Sequence, residues 1–168
     1  AALHADQDVS QLMRLNLERT EQFLRSRVEM TEILDDNIEL ILAPPERIAW
    51  TEFMRWNRRR HLLPRGELIG EKLDIARVSK DVASSIPALS SVDVTSLIDG
   101  WTEEVDAALL EREPMSISGN TTFRRLFGDE RYDEAYRILA ATLQARVRLR
   151  DLSLTTAQAI AELLPQED

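Results

Sequence analysis

DVSQLMRLNLERTEQFLRSRVEMTEILDDNIELIL, Asp8 to Leu42, is the stretch that decides the fold class of this 168-residue chain. Met13, Leu17, Thr20, Leu24, Arg27, Thr31, Leu34, Ile38 and Ile41 follow alternating spacings of four and three, the pattern that keeps one side of a helix along a seam. Asp6 or Asp8 is placed to cap the start, no Gly or Pro interrupts the pattern, and Pro44-Pro45 ends it by removing donors. At ~1.5 Å per residue such a helix is about 50 Å long. Thr20, Arg27 and Thr31 fall where a tight coiled coil takes aliphatics, and a second row through Val9, Leu12, Phe23, Val28, Met30 and Ile33 widens the stripe. Both features favour a bundle helix with more than one neighbour over a two-stranded rod, while keeping the long helix as a surface through which a homodimer can form.

Beyond the prolines the same helical period continues. Ile48, Trp50, Phe53 and Met54 sit at helical spacing, and a helix of 100° per residue sets Trp50, Phe53, Met54 and Asn57 on one face with Trp56 and Arg60 toward a flank. Glu67 to Ile86 reads as helix, with Leu73-Asp74-Ile75 open to a short strand instead. Val94, Leu97, Ile98, Trp101, Val105, Ala108 and Leu109 give the cleanest periodicity, capped by Ser91 or Asp93, with Trp101 in the core and Gly100 costing the helix ~1 kcal/mol relative to Ala. Glu111 to Thr122, rich in Pro, Ser, Gly and Asn, reads as a loop, followed by a short helix at Thr122 to Phe127. Two more helices are expected. The first has Tyr132, Ala135, Tyr136, Leu139, Leu143 and Val147 as its buried stripe and Arg146, Arg148 and Arg150 in its last turns; the second runs from Ser153 to Leu164, with Ser153 or Thr155 as cap. The expectation is an all-α chain, one domain over residues 1–168, built as an irregular bundle of about six helices with a long N-terminal helix.

Arginine carries the strongest chemical signal, since Lys72 and Lys80 are the only lysines among 21 basic residues, an excess that fits a GC-rich bacterial source. WTEFMRWNRRRH, Trp50 to His61, packs four arginines around two tryptophans. In one reading Trp50, Phe53 and Met54 are core and the arginines are solvated or paired with carboxylates. In the other, Arg55, Arg58, Arg59, Arg60 and Arg65 bind a small anion or an acidic protein surface, with Trp56 as a stacking platform, because planar guanidinium forks match carboxylate and phosphate.

Composition removes several functions. A net charge of -9 repels nucleic acid and anionic lipid as general partners. Without cysteine there is no disulfide, thiolate nucleophile or cysteine metal site. The two histidines, His4 and His61, sit in none of the zinc or triad motifs, and the carboxylates at Asp129, Glu130, Asp133 and Glu134 lack the calcium-loop spacing and suit a helix N-terminus. No metal, cofactor or catalytic set is expected, so the chain is not read as an enzyme. No apolar run reaches the ~20 residues of a membrane span, although spans can flank the chain in a parent protein.

GDERYDEAYRILAATL, Gly128 to Leu143, resembles one helix of a tetratricopeptide repeat over half a repeat, with no second copy at the ~34-residue period. The layout as a whole, a long opening helix returning to a closing one, resembles the helical extracytoplasmic sensor domains of bacterial chemoreceptors and sensor kinases. That resemblance implies a ligand-sensing signalling module, extracytoplasmic, in which a small ligand bound near arginines shifts the long helix. A cytoplasmic helical adaptor for protein-protein interaction is the alternative.

Overall fold

A computed structural model describes the backbone of residues 2–164 and the side chains of residues 11, 12 and 14–164. The readings at His4, Asp6, Asp8, Val9, Met13 and Pro165 lie outside those side chains. The chain is all-α: five α-helices and two 3-10 turns, with no strand among the described residues. They are α1 (Ala2–Ile41), α2 (Pro44–Leu62), α3 (Ile75–Val82), α4 (Val92–Gly128) and α5 (Tyr132–Leu163), with 3-10 turns at Leu63–Arg65 and Pro87–Ser90. The chain divides into two compact units, one of Ala1–Trp50 with Pro114–Ala141 and the other of Thr51–Glu113 with Thr142–Asp168.

In the first unit, α1 ends where the prolines forbid its continuation. The break is satisfied locally: Glu46 accepts from the Ala43 N–H at 2.8 Å, and Arg47 donates to the Leu42 carbonyl at 2.9 Å. The inward side of α1 is Leu17, Leu24, Val28, Ile38 and Leu42, all half-buried. The expected seam is therefore rotated. Thr20, Arg27, Thr31, Leu34 and Ile41 are exposed, and the Thr20 and Thr31 hydroxyls donate back to the carbonyls of Asn16 and Arg27, which satisfies them without a neighbour.

Residues 111–122, expected as a loop, are helical throughout, and Pro114 lies inside α4. The Ser118 hydroxyl donates to the Pro114 carbonyl at 2.7 Å and Thr121 to the Ser118 carbonyl at 2.9 Å, so the polar residues that suggested turns bond to their own helix instead. The short helix expected at 122–127 is the end of α4. Its link to α5 is tight: the Arg131 N–H reaches the Leu126 carbonyl at 2.9 Å and Glu130 takes a positive φ of 61°. In α5 the expected buried stripe is mostly wet. Ala135 is fully buried, while Tyr132, Tyr136, Leu139 and Leu143 are exposed. A small side chain at 135 admits close packing on that side and turns the larger residues outward.

The second unit holds the core: Leu63, Ile75, Val94, Trp101, Val105, Leu109, Leu149 and Ile160. Each such side chain contributes roughly 1.5–3 kcal/mol by leaving water. Trp101 is in the core as its periodicity predicts, and its indole N–H donates to the Ser153 hydroxyl at 3.3 Å. Ser153 caps nothing, because α5 runs through it and the two expected helices are one. Arg146, Arg148 and Arg150 therefore sit mid-helix, and they pair with Glu67 at 2.6 Å, Glu111 at 2.7 Å and Asp151 at 2.7 Å. Only Ile75–Val82 of the expected helix 67–86 is α-helical; Asp74 caps it, accepting from the Arg77 N–H at 3.1 Å, so residues 73–75 form a helix start and not a strand. Ser91 is the cap used by α4, accepting weakly from the Val94 N–H at 3.4 Å.

Candidate functional site

α2 is rotated from the reading that put Trp50, Phe53 and Met54 inside: Trp50 and Met54 are half-buried, Phe53 is 45% exposed, and Arg55, Arg58 and Arg59 face α4 and α3. Trp56, expected toward a flank, is 42% exposed. The reason lies in the neighbouring carboxylates. Arg58 forms a two-pronged bond to Asp106, 2.7 Å on each prong, while Arg55 reaches Glu103 at 3.3 Å and Arg65 reaches Glu113 at 3.0 Å. All three pairs share one sequence offset of 48 residues. A constant offset requires α2 and α4 to run side by side in the same direction, a parallel pairing that the connection through residues 63–91 makes possible.

This ladder was open to discovery in the sequence. Arg55, Arg58 and Arg65 repeat the spacing of Glu103, Asp106 and Glu113, and matching the two strings predicts the register. A second polar element had no such signal. Glu71 and Arg112 are fully buried and joined at 2.8 Å; Glu71 also accepts from the N–H groups of Glu67 and Leu68, and Arg112 donates to the Leu62 carbonyl. Burial alone would push the Glu71 carboxyl up. The two backbone donors and the guanidinium outweigh that and hold it below the usual carboxylate range. Gly66 packs over this carboxylate so closely that a Cβ there would lie 2.9 Å from its carbon atoms.

The six residues expected to form one site are thus distributed. Arg55, Arg58 and Arg65 belong to the ladder. Arg59 is buried over the Trp101 ring, its Cζ 5.9 Å from the centroid and its Nε 3.9 Å from Asp74. Its Nε and Nη1 make no hydrogen bond within the chain, and desolvation lowers its pKa from the ordinary arginine value. Trp56 and Arg60 come together on the exposed side, where the guanidinium stacks 5.1 Å from the indole centroid and Phe53 lies 5.8 Å beyond. Among the described residues no three His, Asp or Glu side chains converge as metal ligands.

A larger feature lies on α1. Leu12, Leu15, Phe23, Met30, Ile33, Leu34, Leu40 and Ile41 are all more than half exposed. At 100° per residue they fall within a single arc of about 120°, on the side opposite the half-buried row. α1 is therefore apolar on two faces, and one of them is bare. Among the described residues no helix is long and apolar enough to cross a membrane. No family model, curated protein or solved structure matches this chain.

Proposed function

We propose that this chain is a non-catalytic helical interaction module that works by presenting the outer face of α1 to a protein helix. The carrying observation is the bare arc itself: single exposed apolar residues are ordinary, but here eight large ones recur along one side of one helix, with Asn16, Arg19, Gln22, Ser26 and Asn37 between them. A helix pairing along 3- and 4-residue spacings is the recognition mode that fits such a surface. Its test is a photo-crosslinking residue placed at Phe23 or Met30 in the source cell, with exposed Glu18 on another face as control. Adducts at 23 and 30 and not at 18 are expected. No adduct of any mass at 23 or 30 would overturn the proposal.

A second reading rests on Arg59. A buried guanidinium with two unbonded nitrogens, stacked on Trp101 and framed by α2, α3 and α4, is suited to a small carboxylate or phosphate whose binding favours one packing of those helices. That is the ligand-sensing module, extracytoplasmic in setting, as the module of the first reading is cytoplasmic. Thermal shift with a panel of small anions tests it: stabilisation that disappears in Arg59→Met is expected, and no shift across the panel overturns it.

A further inference from the structure

We infer that the partner of the outer α1 face is a basic amphipathic helix of another protein, seated on residues 30–41 with its Lys or Arg side chains against Glu29 and Asp36. The inference deepens the interaction-module reading and rests on it; what it adds is the stretch of α1 that is used and the charge of the partner.

The placement of charge around this stretch carries it. From residue 28 to residue 41, α1 holds Glu29, Glu32, Asp35, Asp36 and Glu39 and neither Lys nor Arg. Met30, Ile33, Leu34, Leu40 and Ile41 are its exposed large apolar groups. At 100° per residue Glu29 and Asp36, one heptad apart, fall within about 40° of one edge of that apolar arc. That edge is where the flanking charges of a paired helix meet and choose the partner. Glu32 and Glu39 form a second line about 60° further round, and Asp35 alone lies toward the half-buried row. Among the described residues Glu29, Glu32, Asp36 and Glu39 have no ion-pair partner, and Arg25, one turn before Glu29, is engaged by Glu21. Arg27 stands at the opposite edge, before the stretch begins. Asn37 lies in the middle of the seam and donates its Nδ2–H to the Ile33 carbonyl at 2.7 Å. Its Oδ1 atom is left as an acceptor toward the partner, which again suits a donor side chain. A second copy does not supply the cations: an antiparallel pair sets the Glu29 and Asp36 edges against each other, and a parallel pair sets them against Leu34 and Ile41. The chain's net charge of -9 favours encounter with a basic protein in the same sense.

The test uses the whole chain and two synthetic helical peptides of about 20 residues. They share one seam of Leu and Ala, and at two flanking positions seven residues apart one bears Lys and the other Glu. Binding is followed by fluorescence anisotropy. The Lys peptide is expected to bind about tenfold more tightly than the Glu peptide at low salt, and to lose most of that preference in about 0.5 M salt. Glu29→Lys with Asp36→Lys reverses the preference, with helix content by circular dichroism unchanged because both side chains are exposed. Ile33→Asp weakens the binding of both peptides. Equal affinity for the two, a preference that survives the charge reversal, or no binding of either overturns the basic partner. Photo-adducts at Met30 keep that failure apart from failure of the module. Adducts on a Lys- or Arg-flanked helix of another protein support the inference. Adducts on an acidic or uncharged helix, or on this chain's own peptides, overturn it and leave the module standing with a different occupant; if there are no adducts, both fall.

Discussion

At the scale of single residues the most consequential contact is between Glu71 and Arg112, 0% and 2% exposed. Removing one partner strands the other charge out of water. Arg112→Met is expected to cost about 3–5 kcal/mol, measured by urea unfolding, because Glu71 would keep its backbone donors but lose its counter-charge. The same carboxyl gives a pH prediction. Its folded pKa is depressed below the unfolded value of about 4.3, so its stabilising contribution is complete above that pH and is lost as pH falls through the folded value. Glu71→Gln removes the dependence, and the stability gap between the two proteins should narrow on acidification below pH ~4. A gap that is constant with pH would show that Glu71 does not titrate differently in the two states.

At the scale of elements, the ladder between α2 and α4 is graded by burial. Arg58 and Asp106 are largely buried and doubly bonded, whereas Glu103 is mostly exposed opposite Arg55. Double-mutant cycles to Ala should give about 1–3 kcal/mol of coupling for the first pair and about 0.5 kcal/mol or less for the second. Gly100 in α4 faces open space, with nothing within 4 Å of a Cβ. Gly100→Ala should therefore stabilise the protein by about 1 kcal/mol, read from thermal unfolding. Periodicity made the helical class, the α1–α2 break and the place of Trp101 legible, since each depends on local spacing and on what proline forbids. It could not tell which apolar face of α1, α2 or α5 turns inward. That choice is made by long-range partners: Asp106 draws Arg58 in and leaves Phe53 and Trp56 wet, and Ala135 lets one side of α5 approach while Tyr132 and Tyr136 face water. The apparent loop at 111–122 failed for the opposite reason, because Ser and Thr hydroxyls that usually open turns are satisfied within the helix. Of the candidate site, the arginines were legible as a group, but their separation into a ladder, a buried residue and a surface stack was not.

At the scale of the molecule the contrast is between a second unit with a closed core and an α1 with no buried residue among its described side chains. Helical backbone with so little packed against it opens readily. Amide exchange across residues 12–41 should be faster than exchange around Val105, Leu109 and Leu149. Equal protection in the two regions would count against this contrast. Each unit is also assembled from two separated pieces of chain, so neither can close until α5 has been made. On the ribosome, α1 is finished long before Pro114–Ala141 exists to cover its inner row, a delay on the order of 10 s at 5–20 residues per second. During that interval both apolar faces are bare. The order of synthesis thus leaves the inner row of α1 as exposed as the outer one until its own cover has been made.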